Sequence, residues 1–148
     1  MRIVPFVAEH AMEILEQGLN TDNPAADWSS QASVMEEAGH CVTLLSEDDK
    51  PILSTGIIPV WDGCGEAWLL ASNKMSEYKV TLARAIYECF YEWIDARNLR
   101  RVHANIRVDW PTAIRFAKFM GMKEEGLMKK FGPEGADYVR YAWVSDDG

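Results

Sequence analysis

Few side chains in this sequence have types and spacings that could do covalent chemistry. His10, His40 and His103 are scattered over three separate segments with no metal-ligand spacing, which argues against a metal centre. Cys41, Cys64 and Cys89 are odd in number and contain no Cys-x-x-Cys pair, so they read as buried thiols rather than a disulfide framework or zinc knuckle. No Gly-x-Ser-x-Gly elbow and no Ser-His-Asp order occurs. What remains is a strand-to-helix turn, EAWLLASNKMSEYK, with a carboxylate at one end and Lys74 and Lys79 at the other. Any helix N-terminus offers unpaired N–H groups and the positive end of a dipole, so a helix beginning near Ser76 is a place for an anion. Glu77, in the same turn, favours the helix and repels that anion.

The elements that would hold these residues follow from hydrophobic spacing. RIVPFV reads as a short strand, with Pro5 suiting an edge or a bulge. AEHAMEILEQGL places Ala11, Ile14, Leu15 and Leu19 at helical spacing. Residues 20 to 39 are polar and read as a loop with one short helix from about Ser30 to Glu37. HCVTLL and PILSTGIIPVW are strands joined by SEDDK, and DGCG leads into EAWLLAS, a strand apolar enough to be buried on both faces. From about Ser76 to Arg97, Val80, Ala83, Ile86, Phe90 and Ile94 step by three and four, giving one core-facing helical stripe that Asn98 ends. RRVHANIRV is a strand, DWPTAIRFAKFMGM a short helix stopped by Gly121, and LMKKF with DYVRYAWV a hairpin across GPEG. The EEG stretch from Glu124 reads as a solvated turn. The order β-α-α-β-β-β-α-β-α-β-β predicts a mixed α/β sheet, antiparallel at first, with one parallel step across the long helix. One domain over residues 1–148 is expected from the length.

Composition narrows the partners. A formal charge of −8 repels nucleic acid and anionic membrane as a whole, and Arg97, Arg100, Arg101 and Arg107 are the only local basic cluster. The N-terminus fits neither a signal peptide nor a membrane span, so a cytoplasmic location is expected. Most of the six tryptophans should be core, with Trp28 and Trp61, in or beside loops, the ones to line a substrate cleft.

The order of elements, with ILSTGIIPVWDGCGEAWLLAS before the long helix and RVHANIRVDWPTAIRFAKFMGMKEEG after it, resembles the GNAT superfamily of acyl-CoA-dependent N-acyltransferases over about residues 2 to 144. AIRFAKFMGMKEEG is the most specific part, and the segment from HCVTL onward is also similar to GNAT-like proteins of short-tailed phages. The resemblance implies acetyl-CoA, or another acyl-CoA, as cofactor. It also implies an amine-bearing small molecule or protein as acceptor, with no nucleic acid or membrane partner. It assigns Glu66 as general base, the backbone of Leu70, Ala71 and Ser72 to the oxyanion and pantetheine, and Lys74, Ser76 and Lys79 to the pyrophosphate. Trp110 stands where the family often has asparagine and would either pack over the pantetheine groove or only cap the core.

Three departures qualify the match. No glycine occurs between Gly65 and Gly121, and the family's phosphate-loop glycines fall near Thr81 and Ala83. The family's acid tyrosine falls at Ala117, beside Phe116. Glu77 adds an unfavourable charge. An active N-acyltransferase and a catalytically silent GNAT-like structural or interaction protein, of phage descent in one version, therefore both stay open, and Glu66 with the intact architecture tips the reading to the enzyme. Family members often dimerise through sheet edges or C-terminal hairpins, and YVRYAWV would offer such an edge to a homodimer.

Overall fold

The computed structural model describes residues 1–16, 19–20 and 28–146. In chain order these form β1 (Arg2–Pro5), α1 (Ala8–Glu16), β2 (Leu19–Asn20), α2 (Trp28–Ala38), β3 (Cys41–Leu45), β4 (Pro51–Trp61) and β5 (Cys64–Ser72). A 3-10 helix (Asn73–Tyr78) then leads into α3 (Lys79–Arg97), followed by β6 (Arg101–Arg107), α4 (Pro111–Phe119), β7 (Lys123–Met128), a short 3-10 turn (Pro133–Gly135) and β8 (Tyr138–Val144). The expected α/β order holds, with β2 added.

All eight strands join one sheet, ordered β1-β3-β4-β5-β6-β8-β7, with β2 attached to β5. Every pairing is antiparallel except β5 with β6, the predicted parallel step across α3. β1 lies at an edge, where Pro5 removes no ladder bond from a strand beyond it. β8 does not lie at an edge. It sits between β6 and β7, which leaves β7 as the open strand, so the edge expected at YVRYAWV belongs instead to Lys123–Met128. That strand begins earlier than LMKKF, and the Glu124–Gly126 stretch lies inside it, with a register shift between Glu124 and Gly126.

Alternation along β5 divides the core in two. Ala67, Leu69 and Ala71 face the larger cluster, where α3 inserts Leu82, Ile86, Phe90 and Ile94, and α4 inserts Ala113 and Ala117. Trp68 and Leu70 face the smaller cluster, built by α1 and α2 through Ala11, Ile14, Ala32 and Met35. Burying one Leu or Ile of this kind is worth about 1.5–3 kcal/mol. The α3 stripe runs through Leu82 rather than the predicted Val80, which is 70% exposed, because Leu82 is four residues before Ile86 and shares its face whereas Val80 is six before it and does not. Leu19, read as the last helical apolar position, lies in β2.

Local chemistry fixes the helix ends. The first N–H of α1, on Ala8, donates to Glu36 Oε1 of α2 at 2.7 Å, and Val7 N–H donates to His10 Nδ1 at 3.2 Å. Asn98 closes α3 in the left-handed region at φ 52°, its N–H reaching Asp95 O while that of Leu99 reaches Ile94 O. Among the described residues, no helix is long and apolar enough to cross a membrane.

Close packing at β4 gives the sharpest test of this layering. A Cβ on Gly56 would lie 2.6 Å from Cys41 Cβ and 2.9 Å from both His40 O and Trp68 Nε1. We expect Gly56→Ala to destabilise the fold by about 1–3 kcal/mol, measured as a lowered midpoint in urea unfolding; a midpoint equal to that of the parent would contradict the β3–β4–β5 register.

Candidate functional site

β5 and β6 pair only at Cys64, Gly65 and Glu66 against Arg101, Val102 and His103. Beyond those residues the two strands have no mutual pairing, although β4 continues along β5 as far as Ala71. Among the described residues, the backbone groups of residues 67 to 70 that point away from β4 have no strand partner. β2 then takes up the edge at Ala71 and Ser72, against Asn20 and Leu19. Of the three residues to which backbone contacts were assigned, Ala71 and Ser72 pair with β2 while Leu70 pairs with Ser54 of β4, and all three side chains are buried.

The divergence opens a cavity of about 90 Å³, lined by Ala67, Trp68 and Leu69 of β5, by Ala104, Asn105 and Ile106 of β6, and by α3 and α4 side chains. It suits a narrow chain rather than a bulky ligand. Trp110, just before α4, lines it while only 8% exposed, and its Nε1 has no hydrogen-bond partner among the described residues. A buried indole N–H without an acceptor is costly, and here that cost falls in the wall of the cavity. Ala117 and Phe116 also line the cavity, and its one hydroxyl, on Thr55, donates to Trp68 O at 2.8 Å. The aromatic lining comes from Trp68, Trp110, Phe90 and Phe116. Trp61, expected at a cleft, stands 66% exposed at the end of β4 and away from this lining, and the Trp28 side chain lies outside the described residues.

Glu66 occupies the apex of the divergence. Its Oε1 lies 3.4 Å from His103 Nε2 and accepts from Asn105 Nδ2 at 3.3 Å, and the side chain is 43% exposed. Asn105 is held in turn by Arg140 of β8, whose Nε donates to Asn105 Oδ1 at 2.9 Å. Burial holds the His103 imidazole below its ordinary range, and Arg140 and Arg101 push the same way while Glu66 opposes them. A neutral imidazole that turns its Nε2–H to Glu66 leaves Nδ1 as a buried acceptor, and that atom has no partner among the described residues. Neither His103 nor the Asn105–Arg140 pair was singled out from sequence. The signal was the alternation in RVHANIR, which puts His103 and Asn105 on one face of the strand next to Glu66.

The phosphate end differs from expectation. Where a turn and then a helix from about Ser76 were expected, residues 73–78 form a 3-10 helix capped by Ser72, whose Oγ accepts from Lys74 N–H at 3.2 Å. Met75 is buried, Tyr78 packs on the main core, and the residues read as glycine positions, Thr81 and Ala83, lie inside α3. Lys74, Glu77 and Lys79 are exposed, and the side chain of Ser76 lies outside the described residues. Nothing in the geometry gathers the two lysines round an anion. The arginine cluster is largely occupied: Arg101 pairs with Glu125, Arg107 with Asp109, and Arg97 donates to Ala38 O. Among the described residues no group of three His, Cys, Asp or Glu could hold a metal ion.

No family model and no curated protein matches the sequence. Solved structures do match in shape. A ribosomal-protein-alanine N-acetyltransferase from Brucella melitensis superposes with a TM-score of 0.75 at 12% identity, over 98% of this chain and 100% of that one. A GNAT-family acetyltransferase from Bacillus anthracis gives 0.71 at 15% identity, over 96% and 93%. A spermidine N-acetyltransferase chimera from Vibrio cholerae and hSSAT gives 0.58 at 15% identity; there the alignment spans 70% of this chain and 65% of that one. The chain has the fold of the GNAT acetyltransferases.

The buried imidazoles generate a pH dependence. His103, His10 and His40 are all held below the usual histidine range, chiefly by burial, so the unfolded chain binds protons first as pH falls through about 6.5. Stability should therefore be greatest above that pH and decline below it. We expect His103→Gln to make the decline of the urea midpoint between pH 7 and 5.5 shallower; an unchanged slope would mean that His103 takes up its proton equally well in the folded chain.

Proposed function

We propose that this protein is an acyl-CoA-dependent N-acyltransferase that transfers an acetyl group to a primary amine of a small molecule or protein, with Glu66 as general base. The carrying observation is the half-exposed carboxylate at the last shared pair of β5 and β6, one residue before the cavity lining begins at Ala67. When bound, the cofactor supplies an activated acyl thioester.

The remaining work falls to the chain. Glu66 Oε1 is engaged by His103 and Asn105, which leaves Oε2 to take the proton of the incoming amine. The unpaired backbone of residues 67 to 70 supplies N–H groups for negative charge developing on a carbonyl oxygen. The Trp110 indole would pack against the arm that enters the cavity, and the apolar lining would exclude water from the reacting atoms. No lining residue replaces the missing tyrosine as an acid, and a thiol reference pKa of about 8.5 would allow the sulfur to depart without one. The cavity thus fits the narrow part of an acyl-CoA. The phosphates would meet Lys74 and Lys79 across a turn already wound into a 3-10 helix, and this favours weak rather than tight holding.

That same wound turn, together with Ala117, favours a second reading, a GNAT-fold protein without cofactor that acts through a protein partner. A thermal-shift titration with acetyl-CoA separates the two. Saturation at about 100 times Kd should raise stability by about 2.7 kcal/mol, and no shift at millimolar ligand would refute the transferase. Trp110→Ala should weaken the binding about tenfold or more by removing the aromatic wall against which the arm would pack. In an assay of thioester consumption, Glu66→Gln should slow turnover by roughly 10²-fold while leaving the unfolding midpoint close to the parent's; full activity in that variant would remove Glu66 from the mechanism.

A further inference from the structure

Arg140 lies directly opposite Asn105 in the β6–β8 register, on the face of the sheet that carries Glu66 and His103. The flanking arginines of that face are neutralised, Arg101 by a bidentate pair with Glu125 and Arg107 by Asp109. Arg140 is different. Its Nε donates to an amide oxygen, and among the described residues no carboxylate forms an ion pair with its terminal Nη groups, although its charge helps hold the Glu125 carboxyl low. Because Asn105 turns Oδ1 to Arg140, its Nδ2 must face Glu66, as it does at 3.3 Å. One amide thus spaces a half-exposed carboxylate from a guanidinium with two open donors.

That order of charge is complementary to a molecule with an amine and a carboxylate a few atoms apart. The geometry points to an acceptor that is a carboxylate-bearing amine, either a free amino acid or the N-terminus of a chain beginning with an acidic residue. Its nitrogen lies at Glu66 and its carboxylate at Arg140. The assignment rests on Glu66 acting as the base. A guanidinium takes a carboxylate through two parallel bonds, which fixes distance and orientation as a lone ammonium would not. A polyamine, in contrast, would bring a second cation against Arg140, and like charges at that range repel.

The test compares acceptors that differ by one group. With the full chain and acetyl-CoA, kcat/KM is measured for free amino acids, for the amines left when their carboxylate is removed, and for short peptides beginning with Asp or Glu against the same peptides beginning with Asn or Gln. The parent should prefer the carboxylate-bearing member in at least one arm by about tenfold or more, mostly through KM. Arg140→Gln should bring that ratio close to one, and Arg140→Lys should restore part of it. Both variants should keep the parent's thermal shift with acetyl-CoA, which shows that they fold and that the acyl-CoA reading stands independently. A ratio of one or less in both arms of the parent, a ratio untouched by Arg140→Gln, or no turnover of any carboxylate-bearing amine would overturn the assignment. Loss of the acetyl-CoA shift in the parent would overturn the acyl-CoA reading itself, and this one with it.

Discussion

The parallel contact between β5 and β6 lasts for three residue pairs and then stops, and the rest of the molecule is arranged around that interruption. Leaving backbone amides unpaired in the middle of a sheet is costly, so a divergence persists only where packing on both sides enforces it. Here α4 and Trp110 fill the space behind β6, and the long antiparallel run with β4 holds β5 in place. The two strands are thereby fixed at different angles. Their last shared pair, Glu66 with His103, becomes the apex at which polar side chains of one face meet a cavity of the other.

The electrostatics of that apex are local and run against the whole. The chain carries a formal charge of −8, yet the face formed by β6, β7 and β8 gathers Arg101, Arg107 and Arg140 within reach of a few carboxylates. Two of the three guanidiniums are tied to acids of their own. The third is tied to an amide and forms no ion pair of its own, although Glu125 feels its charge. Neutral His103 fits this order, because a second cation beside Arg140 would be repelled, and Arg140 is among the causes of its lowered proton affinity.

Much of the architecture was legible in the sequence because it depends on short-range periodicity: the hairpin around SEDDK, the buried strand EAWLLAS, the helix closed by Asn98 and the parallel step across it. What was not legible depends on contacts between distant segments. The placement of β8 inside the sheet is decided by its pairing with β6, more than thirty residues away in sequence. β2 is two residues long and exists only because the β5 edge is available to it. The absence of glycine after Ser72 was visible at once, but not its result, a turn wound tight around buried Met75. Glu66 could be singled out by its place in a family pattern. Its link to Arg140 through Asn105 joins three strands, and no spacing along one of them announces it.

The open edge at β7 carries a further consequence, for behaviour in a crowded solution. An unpaired strand is a template for foreign strands, and this one is long enough to recruit them. It is defended by its own sequence. Lys123, Glu124 and Glu125 are exposed, and the register shift at Glu124 to Gly126 breaks the regular row of donors and acceptors that an incoming strand would need. Fibrillar addition at this edge would have to straighten that irregularity and crowd like charges together, so the chain keeps a free sheet margin without becoming a seed for aggregation.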